Sequence, residues 1–224
     1  LTSPALVSKF YDPEYEATHD NPDKDPYMAF EKDFMRFMLS DGAGAVLVQD
    51  HPEGKCPLKI EWVDMTSYAN ELPTCMFMAS ELQENGRLKS WKEFSPDEIK
   101  ERAVLVGKQD IRQLKKHIIK YWVDHIETIL AKHHIKADEI DYVIPHVSSM
   151  FFYEKLNDEI AARNIALTKE KWFTNLTSVG NIGSAAIYVA LEELIRTKEI
   201  KRGNKILLLV PESGRFSYGT VLLS

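Results

Sequence analysis

The apolar and polar positions of the chain follow two alternating periods. From Asp110 to His134, Ile111, Leu114, Ile118, Trp122, Ile126 and Ile129 recur at three- and four-residue spacing, which predicts one long amphipathic helix. Ser95-Pro96-Asp97-Glu98 places a cap, a proline at the first helical position and two acids in one turn, so a helix starts there. Met150 to Arg163 reads as a further amphipathic helix capped by Ser148 or Ser149. Ser184 to Thr197 reads as another, with Ala185, Ala186 and Ala190 allowing close approach. Period two appears in Leu58 to Met65, the pattern of a half-buried strand. Tyr142-Val-Ile144 and Ile206 to Val210 are uninterrupted apolar runs, as in strands buried on both faces. Phe216 to Leu223 returns as a last strand, and the turn Ser40 to Gly44 runs into an apolar strand ending at Gln49. Tyr68 to Ser95 is turn-rich and reads as a loop or lid. Pro4, Pro13, Pro22 and Pro26 exclude a long helix near the start, and the Phe- and Met-rich stretch Tyr27 to Leu39 reads as packing or interface. This order predicts a mixed α/β layer protein.

Composition narrows the function classes. The 224 residues carry a formal charge of -6, which argues against a nucleic-acid partner. No apolar run reaches the roughly 18 residues of a membrane span, and no signal-peptide layout opens the chain. Cys56 and Cys75 stand far apart without CxxC spacing, so neither a disulfide framework nor a zinc site is expected, and a reducing cytoplasm is the expected location. His117, His125, His133 and His134 complete no metal motif and read as helix-surface and helix-end groups. Gly42 and Gly44 precede a strand instead of following one, and no GxGxxG or GKS is completed. The Asn175-Leu-Thr sequon is read as chance, and the opening Leu1 as the start of a fragment or processed piece.

Two positions carry candidate chemistry. The strand Tyr142 to Ile144 stops at Pro145 and delivers His146 beyond its end, where open α/β sheets keep their sites. The small-residue turn Trp172 to Ala186 holds Asn181 just before a helix. Taken alone, these are also an ordinary strand-end histidine and an ordinary helix cap.

Four motifs in order, Asp41-Gly-Ala-Gly-Ala45, Ile144-Pro-His146, Gly180-Asn181-x-x-Ser184-Ala-Ala186 and Gly214-x-Phe-Ser-Tyr-Gly219, resemble the thiolase-fold condensing enzymes. The nearest resemblance is to β-ketoacyl-acyl-carrier-protein synthase III and its relatives in specialised metabolism, over about Phe30 to Leu223. It implies an α/β thiolase-like fold, a mixed sheet with helices packed on it. It also implies a fragment lacking most of the N-terminal half, with residues 1–55 ending that half and 56–224 forming the C-terminal half. By the same resemblance His146 and Asn181 are catalytic, Gly214 contributes its N–H to an oxyanion hole, and the nucleophilic Cys lies upstream of Leu1.

The implied reaction joins an acyl thioester to a malonyl or β-ketoacyl thioester, in fatty-acid or specialised-metabolite synthesis. Two neutral donors stabilise the enolate oxygen, and Cys acylation divides the transfer into two steps. Acyl-carrier-protein or coenzyme A thioesters are then the substrates, no cofactor or metal is bound, the full-length form is a homodimer, and the fragment alone is inactive. Pro145-His-Val-Ser-Ser149 followed by Met150-Phe151 departs from the family, which has a basic residue there. Glu212-Ser-Gly-Arg215 replaces a run of glycines, adding bulk and charge. These departures favour a specialised condensing enzyme or acyltransferase. The alternative is a non-catalytic thiolase-fold subunit or acyltransferase partner; a generic hydrolase lacks its Gly-x-Ser-x-Gly elbow.

Overall fold

The computed structural model describes residues 38–224, apart from Ala103 and Val106. The readings made of Leu1 to Pro26 and of Tyr27 to Phe37 fall outside the described residues. The architecture is organised by a four-stranded mixed sheet, in the order β1 (Ile60–Ser67), β8 (Ser217–Leu223), β7 (Ile206–Glu212), β6 (Tyr142–Pro145). β6 and β7 run parallel, with Ile144 opposite Leu208, whereas β8 is antiparallel to both β7 and β1. A parallel pair needs a long crossover. Here the crossover carries the helices α3 (Met150–Ala162), α4 (Leu176–Val179) and α5 (Ala186–Thr197).

One face of the sheet is closed by α2 (Ile111–Lys132), the helix expected from the period of Asp110 to His134. Asp110 caps it, its carboxylate accepting from the N–H groups of Arg112 and Gln113. Trp122, Val123 and Ile126 from α2 meet Leu207, Leu209 and Leu222 in the main core. The opposite face is covered by α5, where Ala190 and Leu194 pack on Ile144, Leu208 and Ile206. That cover is incomplete. Along the row Ile144, Leu208, Val221, Val63, exposure rises from 1% and 7% to a half-buried Val221 and 66% at Val63.

Several expectations are corrected. The expected strand up to Gln49 does not form, and Val46, Leu47 and Val48 are exposed; among the described residues no strand supplies it with a ladder. The region read as a loop or lid contains β2 (Met76–Phe77), β3 (Ser80–Leu82) and β4 (Leu88–Ser90), followed by a capped turn and α1 (Pro96–Glu101); β2 pairs with β5 (Lys108–Gln109). Ser149 stands at the N-cap of α3, but its side chain accepts no capping hydrogen bond. His125 is not a surface group but a fully buried one, because the α2 stripe is wide enough to take it inward with Ile118 and Ile126. His133 is stacked on Trp62, with ring centroids 4.0 Å apart, and lies 2.9 Å from the Asp64 carboxylate.

Candidate active site

His146 is placed by backbone hydrogen bonding. Its N–H donates to the Leu209 carbonyl at 2.8 Å, extending the β6–β7 ladder one residue past Pro145. Phe173 adds to the other side of β6, its N–H donating to the Val143 carbonyl at 2.8 Å. That contact brings Thr174 and Asn175 alongside the strand end. The chain then turns through α4 to Gly180, which adopts φ +82 with Ser40 Oγ 2.5 Å from where a Cβ would sit. Ser40 N–H donates to the Asn181 carbonyl at 2.8 Å, fixing the backbone of the next residue.

The result is a cleft of about 310 Å³, counting its open mouth, in which His146 and Asn181 both stand with Thr174, Asn175, Pro145 and Ala186 among the lining residues. Asn181 is buried, and its side-chain oxygen accepts from the Gly183 N–H at 3.1 Å. The bond holds the oxygen, so Asn181 offers the cleft its NH₂ end, a donor. Burial pushes the His146 pKa below the ordinary imidazole value, so the ring is neutral near pH 7 and has one N–H to donate. Two neutral donors at one strand end can stabilise negative charge developing on a ligand oxygen without themselves being consumed.

Gly214 is not brought into this cleft. Its N–H donates to the Glu212 carboxylate, whose other oxygen accepts from the Arg215 N–H at 3.0 Å. The space a Cβ would need is filled by Glu212 and by the Met76 carbonyl. The hairpin tip is pinned further by Cys75 N–H on the Gly214 carbonyl, 2.9 Å, and by Gln109 Nε2 on Ser213 Oγ, 3.1 Å. Neither Thr174 nor Asn175 carries a site expectation from the sequence, where Asn175 enters only as a chance sequon. The available signal was a polar pair directly after Trp172-Phe173, in the same turn as Asn181. Among the described residues, no cluster of three His, Cys, Asp or Glu side chains is arranged to hold a metal ion. Nor is any helix among them long and apolar enough to cross a membrane.

The mixed sheet with helices packed on both faces is similar to that of thiolase-like proteins. Residues 130–224 match the family described as 3-oxoacyl-[acyl-carrier-protein (ACP)] synthase III C terminal. The β-ketoacyl-[acyl-carrier-protein] synthase III of Clostridium perfringens is 28% identical over 186 residues, covering 83% of this chain and 52% of the relative. The synthase of the same name from Aquifex aeolicus is 31% identical over 112 residues, 50% of this chain and 34% of the relative. Among solved structures, AbyA1, a tetronic acid condensing enzyme, matches with a TM-score of 0.56 at 16% identity, covering 76% of this chain and 47% of that one. The 3-oxoacyl-(acyl carrier protein) synthase III of Pseudomonas aeruginosa gives 0.52 at 16% identity, over 73% and 43%. The chain has a thiolase-like fold. In its C-terminal portion it is β-ketoacyl-acyl-carrier-protein synthase III-like, and it spans about half the length of the Clostridium perfringens relative.

Proposed function

We propose that this chain carries the decarboxylation half of a condensing site, with His146 and Asn181 as catalytic donors. The nucleophilic Cys lies upstream of Leu1, and residues 1–55 and 56–224 belong to the N- and C-terminal halves of the parent fold. The substrates are acyl-carrier-protein or coenzyme A thioesters, and the full-length parent works as a homodimer. In the reaction the bond between the malonyl α-carbon and its carboxylate breaks, CO₂ leaves, and the electron pair passes into a thioester enolate. The His146 N–H and the Asn181 NH₂ donate to the enolate oxygen. The enolate carbon then attacks the acyl-Cys carbonyl, the carbon–sulfur bond breaks, and the Cys thiolate is released.

The observation that carries this reading is the shared cleft, in which a neutral imidazole and a carboxamide held by its oxygen both present donors. The test is His146→Ala in the full-length parent, with the acyl-enzyme followed by mass spectrometry and CO₂ release followed separately. Acylation should persist while decarboxylation falls about 10²- to 10³-fold. CO₂ release at the wild-type rate would sink the assignment in favour of plain acyl transfer with His146 as base.

One observation favours the second reading, a non-catalytic thiolase-fold subunit. The N–H groups of Gly214 and Arg215 are occupied by the Glu212 carboxylate and are not open to a thioester oxygen. If Glu212→Ala raises condensation in the full-length parent, this cap is an obstacle within an active site. If neither the wild type nor Glu212→Ala condenses, the subunit reading stands.

A further inference from the structure

The two carboxamides of the cleft are held in opposite senses. Asn181 is fixed through its oxygen, by the Gly183 N–H. Asn175 is fixed through its nitrogen: Nδ2 donates to the Glu193 carboxylate at 2.7 Å. An ionised carboxylate only accepts hydrogen bonds, so the Asn175 amide cannot reverse without setting oxygen against oxygen. Its Oδ1 is therefore the end left for a ligand in the cleft that Asn175 lines. The backbone is also fixed, since the Asn175 carbonyl accepts from the N–H groups of Ser178 and Val179 and from the Ser178 hydroxyl. Glu193 is equally well placed, one residue before the fully buried Leu194 on α5.

A cleft with donors at His146 and Asn181 suits a developing oxyanion. A fixed acceptor beside them has no use in stabilising negative charge and would repel it. From this we infer that Asn175 determines substrate specificity: its Oδ1 accepts a hydrogen bond from an N–H or O–H group of the bound thioester, and Glu193 is the residue that positions it. The inference rests on the thioester reading given above and adds to it the kind of group that the substrate must carry. That donor has two chemical sources, a hydroxyl on the acyl chain or an amide N–H on the arm that carries the sulfur. An analogue lacking the donor would leave Oδ1 without a partner on the ligand, which costs roughly 10- to 100-fold in affinity.

The test uses the full-length parent and dissociation constants of unreactive thioether analogues measured by calorimetry, so that it does not depend on turnover. One pair differs by a single hydroxyl on the acyl chain. The other pair has an N-acetylcysteamine arm and its ester counterpart, in which oxygen replaces the amide N–H. Wild type should prefer the donor-bearing member of one pair about 10- to 100-fold, and the pair that discriminates identifies the source. Asn175→Leu should bring that preference close to one. Glu193→Ala, which releases the amide without touching the cleft wall, should lower the preference several-fold, and Glu193→Gln, whose side-chain oxygen still accepts, should restore it. Equal affinities within both pairs, failure of all four analogues to bind, or an unchanged preference in both Asn175→Leu and Glu193→Ala each overturns the inference. CO₂ release, which tests the proposed function, is scored separately in the His146→Ala parent.

Discussion

His125 Nε2 and the Thr220 hydroxyl lie 2.8 Å apart at the seam between α2 and β8, both of them buried. The other ring nitrogen, Nδ1, is buried with no partner among the described residues. Burial accordingly pushes the His125 pKa down from 6.5 to about 4. In the unfolded chain the ring takes up a proton near pH 6.5, whereas in the fold it does so only near 4. Stability is therefore intact above pH 6.5 and is lost progressively as the pH falls from there to about 4, by roughly 3 kcal/mol in all. Urea unfolding between pH 7 and 4 measures this slope, and His125→Phe, which keeps the stacking on Tyr218, should flatten it.

The pair α2 and α3 is joined at Arg163, whose guanidinium reaches Asp124 at 2.6 Å, Glu127 at 2.8 Å and Glu159 at 2.7 Å. The side chain is only 22% exposed, so the planar fork is partly shielded. Arg163→Ala should cost about 1–3 kcal/mol in denaturant unfolding, because three carboxylates lose a common partner. Arg163→Lys should recover less than half of the loss, since an ammonium cannot match several carboxylates with a fixed fork.

Cys75 is fully buried, and burial raises its pKa from 9.0 to about 12, with the nearby Asp110 and Glu212 carboxylates adding to the effect. Such a thiol is inert at neutral pH. Iodoacetamide at pH 8 should label Cys56, which is half-buried, and leave Cys75 unmodified until the chain unfolds. Rapid labelling of native Cys75 would contradict the buried position.

In the full-length parent, decarboxylation should respond to acid through His146. Burial lowers the pKa of this imidazole below 6.5, so the neutral donor is retained through the neutral range. The CO₂-release rate should therefore be flat from pH 8 to about 6.5 and decline only at lower pH. A rate already falling between pH 8 and 7 on acidification would require a different titrating group.

Gly180→Ala should disturb the same cleft from its floor. The position holds φ +82 and has Ser40 Oγ 2.5 Å from the added methyl site, so the substitution strains the backbone and pushes on Ser40, whose N–H clamps the Asn181 carbonyl. A loss of about 1–3 kcal/mol in thermal or urea unfolding is expected.

Where a side-chain period extended over several turns or a full strand, the sequence was readable. The α2 stripe, the buried run of β7 and the alternation of β1 each appear within two residues of the expected bounds. Strand formation at Ala45 to Gln49 was not readable in this way, because a strand depends on a neighbour that a local pattern does not encode. His125 was misplaced because histidine suits either a wet or a dry face, and only the width of the stripe decides. Strand-end and turn signals, together with the order of motifs, singled out His146 and Asn181, and the structure places both in one cleft. The fate of the Gly214 N–H depended on Glu212, two residues away, whose carboxylate reaches back across the hairpin tip. The opposed orientations of Asn175 and Asn181 arise from Glu193 on another helix and from a turn amide, relations that only folding creates.

The gradient of exposure across the sheet has a colloidal consequence. On the side where α5 stops short, Val63 and Met65 of the outermost strand β1 stand 66% and 73% exposed, and Val46 to Val48 add further uncovered apolar side chains. Among the described residues β1 is an edge strand, and an edge with exposed apolar side chains recruits neighbours. For the 1–224 chain in isolation, concentration more than temperature should then govern shelf life. Scattered light should climb with concentration well below the unfolding transition, and a lysine at position 63 or 65 should suppress the rise while leaving the melting curve nearly unchanged.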